Sequence, residues 1–258
     1  MSSTEQTAIP ALPPRERLLI LAELSALTAL SWLYLVRMPM SATEFSAVVV
    51  RLAAPLSPGL VNFWLAFMMW AVMMVAMMLP GAAPMILMYA RIARSREDAS
   101  AAGQWAFAGG YVVIWTMFSA AANVTQSALQ HFAFISNGLS TAPIVSAAIL
   151  VGAGVYQLTS FKHTCLGHCQ SPVAFFMTHW RAGTASAFRM GLAHGAFCVG
   201  CCWMLMALLF AVGVMNLAWV AALSAFVLLE KLMPYPQAIA RSTGAVMIAC
   251  GFLLALHN

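Results

Sequence analysis

Val61-Asn62-Phe63-Trp64-Leu65-Ala66-Phe67-Met68-Met69-Trp70-Ala71-Val72-Met73-Met74-Val75-Ala76-Met77-Met78-Leu79 runs for nineteen residues without a charged side chain. A helix rises about 1.5 Å per residue, so this run spans about 28 Å, close to the ~30 Å of a bilayer's hydrocarbon core. A membrane barrel strand would alternate apolar and polar residues, and this stretch does not. It reads as a transmembrane helix, and its apolar character continues past Pro80 and Pro84 toward Ile92.

Working outward, similar runs cover about Leu18 to Val36, Trp105 to Gln130, Pro143 to Phe161, Gly191 to Val214, Leu217 to Leu232 and Ala238 to Leu256. The chain of 258 residues is 63% hydrophobic and 7% charged, with a mean hydropathy of +0.88. Soluble domains carry about a quarter charged residues, so lipid is the solvent this composition suits. The expectation is an all-α, polytopic transmembrane helix bundle of about seven spans. Residues 1–17, with Pro10, Pro13 and Pro14, read as a disordered arm, and 18–258 as one transmembrane domain. The first run is long for a signal-peptide core and no small-residue cleavage site follows it, so it reads as a retained helix.

Orientation follows from the basic residues. Seven spans put Arg15, Arg17, Arg91, Arg94, Arg96, Lys162, Arg181, Arg189, Lys231 and Arg241 on one side, against Arg37 and Arg51 on the other. The positive-inside rule then predicts a cytoplasmic amino terminus. These basic residues stand singly at the ends of apolar runs, not in a patch interleaved with aromatics, which argues against nucleic acid as a partner despite the +5 net charge. The partners this reading expects are the bilayer and further membrane subunits. The longest loop on the basic side, about 162–190, is Cys/His-rich. Its second half, Pro172 to Met190, carries Phe175, Phe176, Trp180 and Phe188 among basic residues, as a headgroup-lying segment would; an ordinary ordered loop is the alternative.

Five of six cysteines and four of six histidines fall between His163 and Cys202. One group is His163, Cys165, His168 and Cys169; the other is His194, Cys198, Cys201 and Cys202. In a helix, His194, Cys198 and Cys201 share a stripe with Cys202 beside it, and pairs three or four residues apart can share an ion. His194 and Cys201 are about 10 Å apart along the axis, so further ligands must come from elsewhere. The predicted topology brings the first group to the same leaflet, in a compartment that keeps thiols reduced. Gly191, Gly195 and Gly200 would admit a close helix. On the methionine-rich run, Met77 and Met78 lie nearest these groups; Met usually packs, but thioethers and thiolates together select soft ions, so copper is favoured over zinc. Packing alone is the competing reading of both clusters, and Cys250 reads as an apolar filler. Glu23 lies within the first run. Glu230 is expected to pair with Lys231 or Arg241, while Asn123 and Gln126 read as interhelical hydrogen bonds.

Met73-Met74-x-Ala76-Met77-Met78-x-Pro80, Tyr156-Gln157-Leu158, Lys162-x-x-Cys165-Leu166-x-x-Cys169, Arg189-Met190-Gly191 and Cys198-x-x-Cys201-Cys202-Trp203 occur in order. Together they resemble a bacterial family of predicted metal-binding integral membrane proteins, catalogued as a domain of unknown function, over about Trp64 to Gly251. The resemblance implies a metal site that includes Cys165, Cys169, Cys198, Cys201 and Cys202, and no reaction; His163, His168 and His194 come from spacing alone. Three functions compete: a membrane metal protein for copper handling or membrane redox chemistry, an accessory or structural subunit of a larger complex, and a thiol oxidoreductase using Cys198 and Cys201. Buried thiols suit the last poorly. Haem ligation by the histidines stays open, although no c-type attachment motif occurs, and no residue set identifies an enzyme.

Overall fold

The computed structural model describes residues 11–52, 58–96, 101–132, 142–214 and 216–257. Among them every regular element is a helix: α1 (Pro14–Leu52), α2 (Pro58–Ser95), α3 (Ala101–His131), α4 (Pro143–Gln157), α5 (Ser160–Gln170), α6 (Pro172–His179), α7 (Thr184–Val212), α8 (Leu217–Leu232) and α9 (Pro236–Leu256). The all-α expectation is met. Helix α1 starts at Pro14, a residue suited to a first helical turn, so Arg15 and Arg17 are helical and only residues 1–10 of the expected arm lie outside the described residues.

Among the described residues, five helical stretches are long and apolar enough to cross a membrane: Pro14–Arg37, Gly59–Ser95, Ala102–His131, Thr184–Val212 and Pro236–Leu256. A sixth results if α4 and α5, bent by 65°, are taken as one span. That falls short of seven. The expected fourth run breaks after Gln157, where Thr159 caps the new helix by accepting from the Lys162 backbone N–H at 3.3 Å. Helix α8 has 16 residues, about 24 Å of rise, which is short for an unaided crossing.

Helix α2 carries Pro80 and Pro84 internally. Proline removes a backbone hydrogen bond and crowds the preceding turn. Side chains serve the carbonyls just upstream: Ser224 Oγ donates to Met77 O at 3.4 Å, and Tyr111 Oη donates to Met78 O at 2.9 Å. Met69, Met73, Met74, Met77, Met78 and Met85 are all buried, so the methionine-rich face is first of all core. Asn123 and Gln126 hold α3 to α2, as expected, through Asn123 Nδ2 to Phe63 O (3.1 Å) and Trp70 Nε1 to Gln126 Oε1 (2.7 Å).

Helix α7 is the hub, packed along α3, α4 and α5, while α2 lies against α1, α3 and α8. Gly191 makes the α3–α7 approach possible, since a Cβ there would overlap the Phe107 carbonyl. The expected loop 162–190 is instead α5, α6 and the start of α7. Phe175 and Phe176 are buried against Phe107 and Tyr89, with ring centroids of Phe107 and Phe176 5.6 Å apart. Phe175 and Phe176 thus face inward, while Trp180 is half-buried and Phe188 is exposed.

Candidate metal centre

Thiols from two helices, α5 and α7, meet at the centre of the bundle. On α7 the spacing of three and four residues stacks Cys198, Cys201 and Cys202 on neighbouring turns; all three are buried. The Cys201 and Cys202 thiols donate to the Cys198 carbonyl at 3.1 and 2.9 Å. From α5, buried Cys169 comes close enough to interact with the sulfurs of Cys198 and Cys201. Buried Cys165, one turn earlier, faces Gly200, where an added Cβ would stand 2.8 Å from Cys165 Sγ. The glycine is thus the seat of that thiol.

Cys198 Sγ is the centre of the polar contacts. Lys231 Nζ, from α8, donates to it at 3.0 Å, and the Tyr111 hydroxyl, from α3, lies 3.1 Å away. A second type of sulfur, a thioether, arrives from α2: Met78 Sδ is 4.0 Å from Cys202 Sγ. Two sulfurs each about 2.3 Å from one ion, with about 120° between the bonds, would be about 4 Å apart. The pair is therefore spaced for a shared soft ion. Among the described residues, however, no three Cys, His, Asp or Glu side chains are grouped as a preformed ion site. The donor set on hand is thiol plus thioether, and it is of low count.

The histidines divide. His194 is buried with neither ring nitrogen partnered, stacked on Tyr111 (5.4 Å) and Phe107 (6.1 Å) and met edge-on by Phe175 (5.8 Å). A buried unpaired polar group is costly, so this ring has donor capacity to spare beside the cluster. His163 is half-buried, with Nδ1 unpartnered. His168 stacks on Phe197 at 4.3 Å and its Nδ1 contacts the Thr164 carbonyl at 2.9 Å. Met77 is buried on α2, and Cys250 is exposed on α9.

Glu230 pairs with neither Lys231 nor Arg241, as expected from sequence, but with Lys162, Nζ to Oε1 and Oε2 at 2.9 and 2.8 Å. Adjacent helical residues point about 100° apart, which sends Glu230 toward α5 and Lys231 toward Cys198. Gln157 completes the first pair, accepting from Lys162 Nζ and donating from Nε2 to Glu230 Oε1 at 3.1 Å. Sequence reasoning missed Tyr111 and placed Lys231 among topology-setting charges. The signal for Lys231 was an opposite-charge neighbour on an otherwise apolar helix. Tyr111 carried none.

The geometry defines a helical protein with several helices fit for a membrane and a buried thiol–thioether cluster at its hub. Residues 67–254 match the PpoB2 family, described as copper chaperones. That stretch is most of the chain and holds every contact just described, so the chain belongs to this family. No curated protein and no solved structure matches it.

Proposed function

We propose that this chain is an integral protein of the bacterial inner membrane that binds Cu(I) and passes it to a partner protein, with Cys198, Cys202 and Met78 as the primary ligands. The observation that carries this reading is the sulfur triad. Cys198 and Cys202 are one turn apart on α7, and Met78 Sδ lies 4.0 Å from Cys202 Sγ. Soft thiolate and thioether donors in small number suit Cu(I), and family membership makes copper the relevant ion. Cys169, Cys201, Cys165, His194, His163, His168 and Met77 then offer alternative stations around the triad. Moving an ion from ligand to ligand demands a surplus of donors with none binding too tightly. Thiol oxidoreductase chemistry fits less well, because Cys198 is 0% exposed and exchange needs an accessible thiolate.

The arrangement in the membrane belongs to the same proposal. Seven crossings with a cytoplasmic amino terminus require α4–α5 to act as one bent span and α8 to cross as a short one, which local bilayer thinning permits. Lys162 and Lys231 are held in internal contacts, so the charge asymmetry rests on the other eight basic residues against Arg37 and Arg51.

The test is anaerobic Cu(I) loading of detergent-purified protein, read by mass spectrometric metal analysis. Near-stoichiometric copper is expected in the wild type and in Cys250→Ser, with loss of most of it in Cys198→Ser/Cys202→Ser. Unchanged copper in the double variant overturns the assignment.

A further inference from the structure

Two lysines and one carboxylate are buried where α5, α7 and α8 meet: Lys162, Lys231 and Glu230. The carboxylate is committed to Lys162 through both of its oxygens. Lys231 therefore brings an ammonium into the sulfur cluster without a carboxylate of its own. The groups around its charge are Cys198, Tyr111, Cys201 and Cys202. Its access is built: the side chain crosses α2 at Gly81, where a Cβ would stand 3.1 Å from Lys231 Nζ and 3.2 Å from Cδ. Any larger residue there would crowd the lysine's route to Cys198.

We propose that Lys231 is a specificity-determining residue, a fixed internal cation that makes the thiolate pair accept a monovalent ion and reject a divalent one. This rests on the copper reading above. Ligand thiols lose their protons on binding a metal, so Cys198 and Cys202 supply two negative charges. With Cu(I) and the Lys231 ammonium, the buried group sums to zero. With Zn(II) in the same place it carries a surplus positive charge. Unpaired charge in a buried setting is strongly disfavoured. The lysine leaves the soft-donor preference as it is and adds a charge filter to it. The hydrogen bond to Cys198 Sγ at 3.0 Å keeps the ammonium on the ligand itself, where the filter is strongest.

The experiment is competitive loading of the purified full-length protein with Cu(I) and Zn(II), each held at a fixed free concentration by a chelator. The copper-to-zinc ratio retained is compared in wild type, Lys231→Leu and Lys231→Gln. Leu removes the charge without adding a metal donor, and Gln keeps a hydrogen-bond donor without the charge. Both variants are expected to lower the ratio tenfold or more through a gain in zinc, with the protein still eluting as wild type does. A wild-type ratio in whichever variant folds overturns the charge filter and leaves the copper site standing. A wild-type protein that retains no copper overturns the site and the filter together. A fall in copper with no rise in zinc also refutes the filter, since a merely structural lysine would produce that result.

Discussion

Glu230→Gln removes the charge that Lys162 faces and leaves the rest of the neighbourhood in place. Lys162 is 0% and Glu230 2% exposed at the side chain. Leaving one member of such a pair buried and unpaired costs about 3–5 kcal/mol. The Arg94–Glu16 pair is 45% and 47% exposed, and breaking a pair that exposed costs about 0–1 kcal/mol. At roughly 2–4 °C per kcal/mol for a chain of this size, Glu230→Gln should lower the midpoint of heat-induced loss of the folded species by roughly 6–20 °C. Glu16→Gln should shift it by about 4 °C or less. The assay is size-exclusion chromatography of the detergent-solubilised protein after a temperature ramp. A Lys162→Met/Glu230→Met variant should recover most of the loss, because an apolar replacement leaves no orphaned charge. The reasoning fails if Glu230→Gln shifts the midpoint no further than Glu16→Gln.

Two further outcomes follow from burial and close approach. In native protein treated with N-ethylmaleimide, Cys198, Cys201 and Cys202 should stay unlabelled by peptide mass until the protein is denatured; prompt labelling of any of them would contradict their burial. Gly191→Ala should destabilise by about 1–3 kcal/mol, since its Cβ must displace the Phe107 backbone; a variant as heat-resistant as wild type would refute that packing.

The helices most legible in sequence are those whose apolar runs are unbroken. Helix α8 was read with its observed ends, and α2, α3 and α9 within a few residues. Helices α5 and α6 were not read because α5 is polar: Lys162, His163, His168 and Gln170 suit a loop until their partners are known. Those partners are distant in the chain, Glu230 being 68 residues from Lys162, and no local pattern encodes them. The cysteine groups were legible as groups, because spacing by three and four residues survives any tertiary arrangement. Which members would touch was not. Cys165 reaches α7 through the seat at Gly200, His168 stacks on Phe197, and Met78 meets Cys202. The apolar character read past Pro80 and Pro84 belongs to one continuous helix, beside which the Ser224 and Tyr111 hydroxyls donate to the Met77 and Met78 carbonyls.

The contacts at Cys198 also set an order of events during synthesis. Tyr111 leaves the ribosome 87 residues before Cys198, and Lys231 follows it by 33. A nascent chain that ends with α7 has the three clustered thiols of that helix and their phenol neighbour, but no ammonium. The sulfur cluster of such a chain is chemically a different object from that of the finished protein. Docking of α8 is what converts one into the other, so the cluster reaches its final chemistry only after α8 has been made and inserted.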